Sequence, residues 1–115
     1  MEDKITPIRK QIIQKTKERD NRNKQLQDIE DSHYVDILEL SKDKDYAKEN
    51  NLTNEKGRAL AIKERLAVDE DYQLLSSSYE ILSLEVETLS VELERERNMF
   101  KVWYVEQLNN AGDKI

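Results

Sequence analysis

The chain has no cysteine, two glycines, one proline, one histidine, one phenylalanine and one tryptophan. Without cysteine there can be no disulfide, no thiolate zinc site and no cysteine nucleophile. Two glycines and one proline exclude a turn-rich β-sandwich or barrel, which needs a turn signal roughly every ten residues. They also exclude phosphate-cradling loops, and neither GxGxxG nor GxxxxGK[ST] occurs. Long apolar runs are missing too. The longest uncharged stretch, Tyr72–Tyr79, falls far short of the roughly 18 residues a membrane span needs. Met1-Glu2-Asp3-Lys4 lacks the basic-then-apolar pattern of a secretory signal. The expectation is a soluble, cytoplasmic protein with no membrane partner.

What is abundant points to helices. Ala, Glu, Lys, Leu and Arg make up 52 of the 115 residues, near the half expected of long helices and coiled coils. The length suits a single helical domain spanning residues 1–115.

Thr6-Pro7 reads as a helix start, because a Thr hydroxyl accepts an orphan amide and Pro loses nothing at the first helical position. Ile5, Ile8, Ile12, Leu26, Ile29 and Leu40 then fall on a ladder of three- and four-residue steps. The middle of that ladder carries Lys15, Arg19 and Arg22. Ser41–Asn50 is polar but free of Gly and Pro, so a first helix is expected over about 7–49. Asn50–Asn54 is the clearest turn. A second helix is expected over about 54–69, with Gly57 tolerated at up to about 1 kcal/mol against Ala. Asp69-Glu70-Asp71 reads as a cap followed by first-turn acids, so the helix either restarts or kinks there. A third helix is expected over about 70–109, followed by a frayed tail over 110–115.

The final helix holds the strongest pattern. Tyr72, Leu75, Tyr79, Leu82, Val86, Leu89, Leu93, Glu96, Phe100 and Trp103 alternate steps of three and four. That is more than four heptads with one polar defect, the signature of a coiled-coil seam. Leu74 and Ile81 flank it and widen the apolar stripe. The fold class is therefore all-α, a long antiparallel helical hairpin or coiled coil with a break near Asp69–Asp71.

Charge selects the pairing. Lys4–Lys24 holds eight bases against two acids, and Asp69–Glu96 holds nine acids against one base. A fold at Asn50–Thr53 places residues opposite each other where their numbers sum to about 103. Arg9–Lys24 then lies beside Tyr79–Glu94, so the acids are expected to be largely matched by the first helix. Each exposed pair contributes well under about 1 kcal/mol, so charge chooses register more than it stabilises.

Chemistry-bearing candidates are few. Glu30-x-x-His33 has the spacing used by di-iron helical bundles, but such a site needs a second copy and two more carboxylates. His33 is read as an ordinary helix-surface residue. No catalytic residue, metal or cofactor is expected, and the chain is read as not an enzyme. The basic stretch reads as a solvated face, since it has no aromatic before Tyr34 on which a base could stack. Nucleic acid is not the expected ligand.

Met99–Val105 is apolar nearly all round its helix. Met99, Phe100, Trp103 and Tyr104 are the candidate interaction residues, because Trp and Tyr dominate binding hot spots. They suit a homodimer or higher oligomer, or another protein partner. Glu80, Glu85, Glu87, Glu92 and Glu94 form an alternative site, a row of carboxylates that could imitate phosphate charge toward a nucleic-acid-binding enzyme. A third reading is a single-strand accessory factor using the basic face of the first helix.

Asn54–Gln107 resembles small phage and prophage coiled-coil accessory proteins of unassigned activity. The resemblance rests on Lys56-Gly57-Arg58-Ala59-Leu60-Ala61, Asp69-Glu70-Asp71-Tyr72, Leu89–Glu96 and Asn98-Met99-Phe100. Those proteins often carry Pro in the acidic break, where this chain has Glu70-Asp71. The resemblance implies a phage origin and an accessory factor encoded near DNA-replication and recombination genes; the expected role is an accessory or adaptor of a phage or bacterial protein complex, with acidic inhibition of a host nucleic-acid-binding defence enzyme as the alternative. It implies no active-site residues.

Overall fold

The computed structural model describes residues 2–113, with the backbone alone at Asp113. The fold is all-α and about 90% helical. Among the described residues the elements are α1 (Ile5–Ser41), α2 (Lys44–Glu49), α3 (Glu55–Val68) and α4 (Glu70–Asp113). None of these helices is long and apolar enough to cross a membrane.

α1 starts earlier than Thr6-Pro7 suggests. Asp3 Oδ1 accepts the Ile5 and Thr6 backbone N–H groups at 3.0 and 3.1 Å, so the carboxylate caps the helix. Pro7 sits inside the first turn, where a missing N–H leaves no bond unmade. α1 also ends earlier than residue 49. Ser41 Oγ donates back to the Leu38 carbonyl at 2.7 Å, and the Lys42 N–H closes onto Glu39. Asp43 then caps α2 by accepting from Asp45 and Tyr46. Short polar side chains compete here with the helix ladder, which a count of Gly and Pro does not register.

The turn lies where the Asn-rich segment placed it. Asn51 is left-handed, at φ 58°, and the Leu52 N–H reaches back to the Ala47 carbonyl at 2.7 Å. This is the Schellman arrangement, with Asn in the place Gly usually takes. Its apolar partners, Leu52 and Ala47, are both 3% exposed. Asn54 caps α3 through the Gly57 N–H at 2.8 Å. α3 stops at Val68, Asp69 is extended at ψ 106°, and α4 begins at Glu70. The helix restarts after one residue.

The described residues form two compact units, Arg19–Glu80 and residues 2–18 with 81–113. In Arg19–Glu80, the core is Ile37, Ala47 and Leu52, packed by Leu40, Ala61 and Ile62. Its antiparallel pairs are Arg22 with Ser78, Glu30 with Tyr72, His33 with Asp69 and Asp36 with Arg65. Their numbers sum to 100–102 against the anticipated 103. Ile37 belongs to the α1 ladder but was missing from the residues that defined it.

In the other unit, Ile8 and Leu82 are buried and Lys15 pairs with Glu85, a sum of 100. Leu82 is buried and Val86, Leu89 and Leu93 are half-buried, as a seam facing its own chain requires. Tyr72, Leu75 and Tyr79 are likewise half-buried within Arg19–Glu80. The expected frayed tail differs in part: α4 continues through Asp113, while residues 114 and 115 lie outside the described residues.

Candidate interaction surface

α4 presents two apolar stripes, and one helix partner can cover only one of them. Beyond the seam, Ile81, Leu84, Val91, Val102 and Val105 are all exposed large hydrophobics. With Thr88, Arg95 and Asn98 they form a second run of alternating three- and four-residue steps. Ile81, expected on a flank of the first stripe, belongs to this second one. The signal for a separate stripe was present in the spacing, but the stronger ladder masked it.

The aromatic end adjoins this stripe. Met99, Phe100 and Tyr104 are exposed and Trp103 is half-buried. Phe100 lies 5.7 Å from Trp103 and 6.5 Å from Tyr104 between ring centroids. Residues three and four apart share a helix face, so the three rings form one cluster. Phe100 also lines a pocket with Ile5, Thr6 and Glu96, next to the start of α1. Trp103 and Met99 instead border a groove of about 750 Å³ with Val91, Arg95, Asn98 and Val102. A second groove, lined by Gln11, Lys15, Ile81, Leu84 and Glu85, continues the same stripe.

The expected matching of the acids does not form. Among the described residues only Glu85 of the five candidate carboxylates makes an ion pair, with Lys15 at 2.8 Å. That contact holds the Lys15 ammonium above the ordinary lysine range. Glu80, Glu87 and Glu94 are exposed and Glu92 is half-buried. The α1 bases go elsewhere: Arg19 lies near Asp20 of its own helix, and Arg22 donates to Ser78. Arg9, Lys10, Lys17 and Lys24 stand exposed off the seam. Opposite net charge on two segments does not bring individual groups within bonding distance.

His33 is not a free surface residue. Its Nε2–H donates to Asp69 Oδ2 at 2.8 Å, while Asp69 Oδ1 accepts the Tyr72 backbone N–H at 3.0 Å. These two donors, His33 first, hold the Asp69 carboxyl below the usual range. Tyr72 Oη donates to Glu30 at 2.6 Å, and that bond raises the phenol above its ordinary value. Glu30 and His33, three residues apart on one face of α1, thus clasp the α3–α4 joint. Among the described residues no cluster of three or more potential metal ligands occurs. No family model matches the chain, and neither a curated protein nor a solved structure matches it.

Proposed function

We propose that the chain is a non-enzymatic helical interaction module that self-associates through α4. Its role is that of an accessory or adaptor component in a phage or bacterial protein complex, the setting implied by the resemblance of Asn54–Gln107. One observation carries the self-association: the C-terminal part of α4 exposes Met99, Phe100, Val102, Tyr104 and Val105 around Trp103. Solvating so many adjacent apolar groups is unfavourable, and covering them favours association. Trp103 is the natural reporter. Its emission should be blue-shifted at high protein concentration and move red on dilution. Trp103→Ala should weaken association, roughly thirtyfold or more for a Trp hot spot, with helix content nearly unchanged. Emission that stays blue at every dilution, with a sharply lowered melting temperature for Trp103→Ala, would make the residue ordinary core.

The exposed, unpaired Glu80, Glu87 and Glu94 favour a second reading, an acidic inhibitor that occupies the nucleic-acid channel of a defence enzyme. Glu87→Lys with Glu94→Lys should then abolish capture of that enzyme while leaving helix content unchanged. Unchanged capture by the double variant would remove the mimic.

A further inference from the structure

We infer that the second stripe of α4 is the self-association face, and that it pairs antiparallel with the same stripe of a second copy about an axis near Leu93. The inference rests on the self-association reading and adds a face, a direction and a register to it.

The register follows from the layers. Where residue numbers across the axis sum to 186, Ile81 meets Val105 and Leu84 meets Val102 of the second copy. Thr88 meets Asn98, so the polar positions face each other rather than an apolar one. Val91 meets Arg95, whose aliphatic stem covers apolar surface while its guanidinium reaches outward. The outer layers are thereby apolar and the Thr88–Asn98 layer polar on both halves of the symmetric pair, with Val91 under the Arg95 stem.

Charge selects the direction. In the antiparallel pair each Glu87 flanks Lys101 of the other copy, and the two Arg95 guanidiniums enter beside the Glu92 and Glu94 carboxylates that meet at the axis. An in-register parallel pair would instead set Glu80 against Glu85 and Glu87 against Glu92, twice each, with Lys101 against Glu106 as its attractive flanking pair. It would also stack Arg95 on Arg95. Like charges at flanking positions disfavour that alternative.

The size of the contact sets its strength. Ile81 to Val105 is about 36 Å of helix roughly 10 Å across, about 360 Å² per copy and about 720 Å² in total, which is below standard specific interfaces and in the range of weak encounters. Association should be weak and depend visibly on concentration in the micromolar range, with the adjacent Trp103 side chain extending the covered area.

Because the chain has no cysteine, single thiols report the geometry. Leu84 and Val102 are 63% and 59% exposed, so Leu84→Cys and Val102→Cys spare the fold, which circular dichroism checks. The two variants are mixed and air-oxidised, and the disulfide products are separated by mass; the parent is followed by sedimentation equilibrium. The expected result is a Leu84→Cys–Val102→Cys heterodisulfide well above the statistical mixture, with the homodisulfides suppressed. Homodisulfides alone would make the pair parallel and overturn the inference. A dimer in which neither thiol cross-links would place self-association on another face, overturning the inference while self-association stands. A parent that sediments as a monomer at every concentration would remove both.

Discussion

Replacing Gly57 by alanine sets helix propensity against packing, and the two predict opposite signs. Gly57 lies in the first turn of α3, where exchange to Ala favours the helix by about 0.8–1 kcal/mol. A Cβ at this position, however, would meet the backbone of Asn51. It would lie 3.0 Å from the carbonyl carbon, 3.2 Å from Cγ, and closer still to the carbonyl oxygen. The neighbour is main chain in a left-handed residue, so it cannot turn aside as a side chain would. Shifting it disturbs the Leu52 bond to Ala47 and the apolar cluster beneath. Overpacking of this kind costs typically 1–3 kcal/mol, and loss of the Asn54 cap about 1 kcal/mol more. After the propensity gain, the net is a destabilisation of about 1–3 kcal/mol. At roughly 4–8 °C per kcal/mol for a small domain, the melting temperature should fall by about 5 °C or more. Thermal unfolding followed by far-ultraviolet circular dichroism measures this. Gly112→Ala is the control, because nothing lies within 4 Å of the added methyl, and it should melt at or above the parent. If Gly57→Ala melts higher than the parent, the close approach of the turn to α3 is wrong.

Leu82→Asp should unfold the protein, since an unpaired carboxylate in the seam costs several kcal/mol, whereas Leu84→Asp, two residues along and exposed, should keep the parent helix content. Equal melting of the two would invalidate the assignment of the inner stripe. Glu85→Gln should change the melting temperature little, because both partners of the Lys15 pair are over one-third exposed. Asp69 has a depressed folded pKa, so its contribution is present above the ordinary value of 3.8 and is lost as pH falls through the folded value. Asp69→Asn should therefore flatten the acid limb of a stability–pH curve, and an unaltered limb would contradict the clasp. Tyr72 has a raised pKa, so its contribution is complete below 10.0 and is lost as pH rises through the folded value. Tyr72→Phe should remove that alkaline component while Tyr34→Phe, exposed on α1, leaves it in place.

Helix content, the Asn50–Asn54 turn, the break at Asp69 and a register within three of that observed all follow from local features. Periodicity, caps and turn residues act over a few positions, and these are written in the chain order itself. The break at residues 42–43 was equally local, carried by Ser41 and Asp43, but it competed with an otherwise helix-compatible composition. Tertiary structure alone decided which of two overlapping heptad phases on α4 turns inward. Tyr72, Leu75, Tyr79, Leu82, Val86, Leu89 and Leu93 pack within the chain, which leaves Ile81, Leu84, Val91, Val102 and Val105 outside. It also decided that Gly57 receives the Asn51 backbone and that His33 meets Asp69. Ion pairing was decided there too, since among the described residues only Lys15 and Glu85 join the basic segment to the candidate acidic face. Spacing along a chain specifies the face a residue occupies; distance across helices, which falls off within a few ångströms for packing and hydrogen bonds, specifies whom it meets.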